Sequence, residues 1–127
     1  GYNMLNGGDG NDRLEGRGGD DRLNGGAGGD TLAGDAGNDR LWGGAAADVF
    51  LFSTGRDVIE DMDTGGGADR IGLSRMLTAG LTDGMAIAGR FGAVSNNVGV
   101  LDFGGGQVLT VVGVSSLAAL GADLFVF

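Results

Sequence analysis

Large apolar side chains recur every nine residues through the first half of the chain, at Leu14, Leu23, Leu32, Leu41 and Phe50. Two residues before each stands an aspartate: Asp12, Asp21, Asp30, Asp39 and Asp48. Five residues before each aspartate stands a glycine: Gly7, Gly16, Gly25, Gly34 and Gly43. Five consecutive nonapeptides therefore run over 7–51. A partial one precedes them, with Asn3 in the aspartate position and Leu5 in the apolar position. A degenerate sixth, 52–60, keeps Gly55, Asp57 and Ile59. A register held this long marks a repeat architecture, not loose low complexity.

Each nonapeptide has a polar half and an apolar half. The first six residues, as in "GGDGND", are turn formers throughout. The last three, as in "RLE", suit a very short strand whose middle residue points inward. One such strand buries nothing alone. Two nonapeptides make one coil with a strand on each side, and stacked coils bury their leucines between two parallel sheets. The predicted fold is all-β. A right-handed parallel β-roll occupies 1–60, and a mainly antiparallel β cap with a short helix occupies 61–127.

The period changes in the second half. "AIAGRFGAVS" (86–95), "VGVLDF" (98–103) and "QVLTVVGV" (107–114) read as strands, with Gly104 to Gly106 as a hairpin turn. "SSLAALGA" (115–122) reads as a short helix, capped by Ser115 or Ser116 and ended by Gly121. "DLFVF" (123–127) reads as a last strand. Such a segment covers the open end of a roll, which otherwise exposes leucines and unpaired strand edges.

Charge sharpens this picture. The net charge is −9. Residues 1–69 hold fourteen acids and five arginines, whereas 70–127 hold three of each. All the excess negative charge lies in the repeats, which argues against nucleic acid and anionic membrane as partners and favours a cation. In the coil geometry Asp12, Asp30 and Asp48 line one edge, and Asn3, Asp21, Asp39 and Asp57 the other. Neighbouring carboxylates on an edge then stand roughly 4.8 Å apart, one strand spacing. A hard divalent cation between each pair resolves the repulsion. Calcium takes six to eight oxygens from carboxylates and carbonyls, and glycine lets the backbone fold tightly enough to aim carbonyls at it.

Other chemistries are poorly served. The chain has no cysteine and no histidine, so it offers no thiolate metal site, no histidine-based triad and no His-Glu zinc motif. Paired carboxylates arrayed periodically suit ligation rather than one acid and one base. The chain reads as non-catalytic. No run of eighteen apolar residues is present to span a membrane.

The motif G-G-x-G-x-D-x-U-x, with U a large apolar residue, resembles that of the repeats-in-toxin (RTX) family. "GGDGNDRLE" and "GDAGNDRLW" match it closely, and "GGAGGDTLA" matches too. Arg17 replaces glycine in the second position of its repeat, and Ala46 in the fourth position of "GGAAADVFL". The resemblance implies calcium held between one loop and the loop two repeats later, about three to four ions in all. One implied site uses Gly8, Gly10, Asp12, Gly25, Ala27 and Asp30. A second uses Arg17, Gly19, Asp21, Gly34, Ala36 and Asp39. A third uses Gly26, Gly28, Asp30, Gly43, Ala45 and Asp48. A fourth uses Asp35, Gly37, Asp39, Phe52, Thr54 and Asp57. "RDVIEDMDTGGGADRIGLS", 56–74, resembles the family's closing segment. There Asp61, Asp63 and Asp69 read either as ligands of one more ion or as surface turn carboxylates.

The family also implies a biology. Its members fold on calcium outside the cell after export through a type I ABC transporter, many as tails of secreted proteases, lipases or polysaccharide-modifying enzymes. Opening on Gly1, the chain reads as a piece of something longer, secreted from a bacterium. The acid followed by four apolar residues at Asp123–Phe127 fits an export signal as well as a buried terminal strand. The alternative is a calcium-dependent adhesin or surface-layer module, with a glycan or self-assembly partner. Trp42 is the one outward aromatic residue of the repeats to nominate for such contact, and edge packing is the plainer role for it.

Overall fold

The structure, a computed structural model, describes residues 2–63, 69–78 and 80–127. Its strands are β1 (Met4–Asp9), β2 (Arg13–Glu15), β3 (Arg22–Ala27), β4 (Thr31–Ala33), β5 (Arg40–Gly44), β6 (Val49–Phe52), β7 (Arg56–Ile59), β8 (Arg70–Leu73), β9 (Gly92–Ser95), β10 (Val98–Gly104), β11 (Gln107–Val112) and β12 (Leu124–Val126). Two short helices are α1 (Gly84–Phe91) and α2 (Leu117–Ala122). Successive repeat strands alternate between two sheets. One runs β1-β3-β5-β7-β11-β10-β9 and the other β12-β8-β6-β4-β2.

Within the roll each strand pairs in parallel with the strand two repeats on. Leu5 aligns with Leu23, Leu23 with Leu41 and Leu41 with Ile59. Across the core, Leu14 aligns with Leu32, Leu32 with Phe50, Phe50 with Ile71 and Ile71 with Leu124. From Leu14 and Leu23 onward every member of these two columns is buried. The eighteen-residue coil is thus the unit of pairing, as the leucine period predicts. Burying one such side chain contributes about 1.5–3 kcal/mol, so a core only two side chains thick gains stability by repetition.

The ladder reaches further than the apolar triplets suggest. In the first sheet Gly8 pairs with Gly26 and Gly26 with Gly44, well into the turn halves. This close stacking is available to glycine because a Cβ on Gly26 would run into the Gly8 carbonyl.

The far end of the roll is closed by strands that join both sheets. β11 pairs in parallel with β7, then turns antiparallel against β10, which carries β9. β8 and β12 extend the second sheet in parallel. Phe52, the last residue of β6, is buried and stacks on Phe103 with ring centroids 6.1 Å apart.

Two details differ from the sequence reading. The segment 86–95 is not one strand: its first part lies in α1 and only Gly92–Ser95 is extended. Asp83, just upstream, caps α1 by accepting from the Met85 N–H at 3.0 Å, and Arg90 stands in the last turn. Gly121 does not end α2, which runs on to Ala122. It is buried because α1 lies against it: a Cβ there would meet the Met85 sulfur at 2.7 Å. The predicted Ser116 cap is present, accepting from the Ala119 N–H at 3.1 Å.

Candidate metal centre

The turn halves of the repeats stack into two edges. Asp12, Asp30 and Asp48 stand on one, each immediately before a strand of the five-stranded sheet. Asn3, Asp21, Asp39 and Asp57 follow one another on the other. Asp12 and Asp21, neighbours in sequence, lie on opposite edges.

Each carboxylate divides its two oxygens. Oδ1 accepts the backbone N–H of the residue eighteen positions earlier: Asp30 from Asp12 at 2.7 Å, Asp39 from Asp21 at 2.7 Å, Asp48 from Asp30 at 2.8 Å, and Asp57 from Asp39 at 3.0 Å. Asp21 accepts from Asn3 in the same way at 2.7 Å. Oδ2 of Asp12, Asp21, Asp30, Asp39, Asp48 and Asp57 is buried with no hydrogen-bond partner. A buried carboxylate oxygen without a partner carries its full desolvation cost. Six in register define sites that lack a positive charge.

The position-one glycines show what else faces those oxygens. A Cβ on Gly7 would meet the Gly25 carbonyl at 2.6 Å and Asp12 Oδ2 at 2.7 Å. On Gly16 it would meet Asp21 Oδ2 at 2.7 Å and the Gly34 carbonyl at 2.8 Å. On Gly25 it would meet Asp30 Oδ2 and the Gly43 carbonyl. The carboxylate of one loop and the first carbonyl of the loop two repeats later thus converge where a side chain would lie. Of the donors the resemblance implies, the fold brings Asp12 near Gly25, Asp21 near Gly34 and Asp30 near Gly43.

Other expected donors occupy the same stacked loops. Gly8, Gly10, Gly19, Gly26, Gly28 and Gly37 have positive φ, and at the equivalent positions Arg17 (φ 72°), Asp35 (φ 65°) and Ala46 (φ 72°) adopt the left-handed form without being glycine. Carbonyls of Gly8, Gly10, Gly19, Gly26 and Gly37 lie directly under the glycine of the next loop on their edge. The Arg17 and Gly26 carbonyls each accept one N–H, from Ala36 and Ala45, which leaves one lone pair apiece. Ala27 ends β3, Phe52 ends β6, and Thr54 lies in the turn before β7.

Burial dominates the titration of these carboxyls. It pushes Asp39 and Asp48 up to about 6, against the N–H bonds from Asp21 and Asp30 and with the help of neighbouring carboxylates. It pushes Asp57 up to about 8, with the Asp39 charge adding to it. Among the described residues no three acidic side chains gather as a compact cluster. The acids form rows, so any ion between two loops takes the rest of its shell from carbonyls.

Sequence reasoning missed several contributors. Position five supports the loops: Asn11 Oδ1 accepts from the Gly29 N–H, Asp20 from Asn38, and Asn38 from Arg56. Polar residues recurring at that position were the available sign. Asp61 is spent on the backbone, its two oxygens accepting from Gly43 at 2.8 Å and Gly44 at 2.9 Å. Asp69 extends a row, its Oδ1 accepting from the Asp48 N–H at 2.8 Å. Its spacing of twenty-one residues hides it from a nine-residue period. Trp42 is half-buried and lines a shallow recess with Asn6, Arg22, Leu23 and Asn24.

The fold and the two rows of half-satisfied carboxylates define a parallel β-roll with cation-binding loops. Residues 3–32 and 25–59 match the family model described as the RTX calcium-binding nonapeptide repeat (4 copies). The segment 3–59 is therefore an array of RTX calcium-binding repeats, a non-catalytic element. The chain is also similar to the solution structure of the AlgE6R3 subunit from the Azotobacter vinelandii mannuronan C5-epimerase. That match has a TM-score of 0.47 and 26% identity, and covers 93% of this chain and 79% of that one. No curated protein matches the sequence.

Proposed function

We propose that this chain is a calcium-dependent folding module, held open where calcium is scarce and closed where it is abundant. It would act outside the cell as the C-terminal export and folding domain of a larger secreted protein. The observation that carries the reading is the register of buried, partnerless Oδ2 atoms on both edges. Four sites, at Asp12/Asp30, Asp21/Asp39, Asp30/Asp48 and Asp39/Asp57, use the loop carbonyls and carboxylates that the repeats bring face to face.

The chain's own residues set the conditions. In the folded coil each Oδ1–N–H bond holds a carboxylate in place and leaves Oδ2 without a partner between the loops. Position-one glycines leave the space open. Bound calcium supplies the positive charge that two facing carboxylates lack. Because the paired loops exist only in the folded coil, binding free energy becomes folding free energy. Extracellular modules bind calcium at roughly 10⁻⁴ to 10⁻³ M, a range that separates the two sides of a cell membrane.

The test is a calcium titration of the chain followed by circular dichroism and by the fluorescence of its single tryptophan. β signal should appear cooperatively as calcium rises and vanish in chelator. A chain fully folded in chelator at neutral pH overturns the reading. Export is tested separately. Fused behind a reporter and expressed with a type I transporter, the chain should carry the reporter out, and retention inside overturns that part alone.

A further inference from the structure

In the inner repeats the residue eighteen positions beyond a first-position glycine is another glycine: Gly25 beyond Gly7, Gly34 beyond Gly16 and Gly43 beyond Gly25. Beyond Gly43 it is Asp61, which belongs to no nonapeptide. Its two oxygens accept from the Gly43 N–H at 2.8 Å and from the Gly44 N–H at 2.9 Å. From the other side the Ala45 N–H donates to the Gly26 carbonyl at 3.0 Å. The last repeat loop on this edge is therefore held by a repeat before it and by a single side chain after it.

The bond to Gly44 has a consequence for the neighbouring site. The Gly44 N–H and the Gly43 carbonyl belong to one peptide group. That group is planar and trans, so the two point in opposite directions. Holding the N–H on Asp61 turns the carbonyl away from Asp61 and toward Asp30. A Cβ on Gly25 would meet both Asp30 Oδ2 and this carbonyl oxygen. It is a donor that the resemblance implies for the Asp30/Asp48 site. A carboxylate on the N–H also polarises the peptide, which makes its oxygen more negative. This loop has particular need of an outside hold, because Ala46 takes the place of its fourth-position glycine at φ 72°.

The other edge ends in the same way. Loop 52–57 is the last there, and Gln107, the first residue of β11, accepts from its Gly55 N–H through Oε1 at 2.5 Å. That N–H shares a peptide group with the Thr54 carbonyl, an implied donor of the Asp39/Asp57 site. Asp61 brings a charge and two bonds, whereas Gln107 brings one neutral bond.

We propose that Asp61 and Gln107 are positioning residues for the outermost calcium on each edge. Neither is a ligand; each holds the amide of a peptide whose carbonyl serves the ion. The proposal rests on the calcium reading of the repeats and adds to it two residues from outside them. Groups one bond removed from a metal ligand typically change its affinity about 10–100-fold. The segment that closes the roll then does more than cover leucines: it finishes the last site of each row.

The experiment compares the full chain with Asp61→Ala and Gln107→Ala, using Asp102→Asn at an exposed acid as the charge control. Bound calcium, counted by equilibrium dialysis at saturation, should be the same in all four. One ion fewer in Asp61→Ala makes Asp61 a ligand and overturns the proposal. Release of calcium into a chelating dye should become about tenfold faster or more for one ion of Asp61→Ala, and faster by a smaller factor for one ion of Gln107→Ala. Asp102→Asn should release as the unaltered chain does. Unchanged release in Asp61→Ala overturns the proposal and leaves the repeat sites standing. A double-mutant cycle separates a merely structural contact. In saturating calcium Asp61→Ala should lower the urea midpoint much less once Asp48→Asn has weakened its site, and by the full amount when Asp57→Asn is present on the other edge. An equal loss in every background refutes the positioning role. Absence of calcium binding by the unaltered chain overturns both readings. Should Asp61→Ala fail to fold even in calcium, Asp61→Asn, which keeps one acceptor oxygen, takes its place, and unchanged release there is equally decisive. Where a double variant fails to fold, the count and the release in the single variants decide.

Discussion

Removing calcium should make stability fall as pH rises, the reverse of an ordinary acidic protein rich in salt bridges. Burial holds Asp39 and Asp48 at about 6 and Asp57 at about 8 in the folded chain. In the unfolded chain each titrates near 4. The folded state therefore binds these protons more tightly, and stability is greatest below about pH 4. It is lost as pH rises through about 6, and further as it approaches about 8. Keeping Asp39 and Asp48 ionised near neutrality costs about 1–3 kcal/mol each after allowance for water at the loop edges, and Asp57 adds more. That sum is comparable with the whole stability of a small domain, about 5–15 kcal/mol. Urea midpoints read by tryptophan fluorescence in calcium-free buffer should fall with every step up from pH 4, until near neutrality no folded baseline remains. In saturating calcium the trend should flatten or invert, because ligation needs the deprotonated form. A calcium-free midpoint that is constant or rises with pH refutes the assignment of these carboxylates as unmet charges.

Asp30 takes part in two successive pairs, with Asp12 and with Asp48. Asp30→Asn keeps the acceptor for the Asp12 N–H and removes only charge, so it should lose two ions by equilibrium dialysis where Asp12→Asn loses one. Ala46 adopts φ 72°, a left-handed conformation that costs a residue with a Cβ about 1 kcal/mol. Ala46→Gly should therefore raise the melting temperature in calcium by about 3–6 °C. Gly37 has φ 122°, and a Cβ there would strike the Gly19 carbonyl. Gly37→Ala should destabilise the calcium-loaded chain by about 2–4 kcal/mol, against about 1 kcal/mol for Gly105→Ala in the open hairpin turn. Leu32 is fully buried between the sheets, and Leu32→Ala should cost about 2–5 kcal/mol in a denaturation curve.

Most of the roll is legible in the sequence because each repeat meets the same surroundings. The nine-residue spacing separates turn from strand, and it sends Asp12 and Asp21 to opposite edges. It also pairs each aspartate with the one eighteen residues on, as the N–H to Oδ1 bonds of Asp30 and Asp39 display. A property that repeats locally can be read locally. The same reasoning fails where surroundings stop repeating. "AIAGRF" carries apolar residues that suit a strand, but α1 forms there because Asp83 caps it and because Ile87 and Ala88 find a buried place in the core. Gly121 looks like a helix terminator until α1 is seen to press against it.

What the chain alone determined is the period, the two edges and the rows of acid. What tertiary structure decided is the fate of individual oxygens. Asp61, Asp69 and Asp123 look alike in sequence as acids near the closing strands. In the fold Asp61 is spent on two glycine amides, Asp69 takes the next rung of a repeat row, and Asp123 is left with a buried oxygen that nothing meets. The reason is range. Contacts eighteen residues apart follow from the period, whereas Asp123 reaches Ile71 from fifty-two residues away. No pattern in the chain encodes that approach.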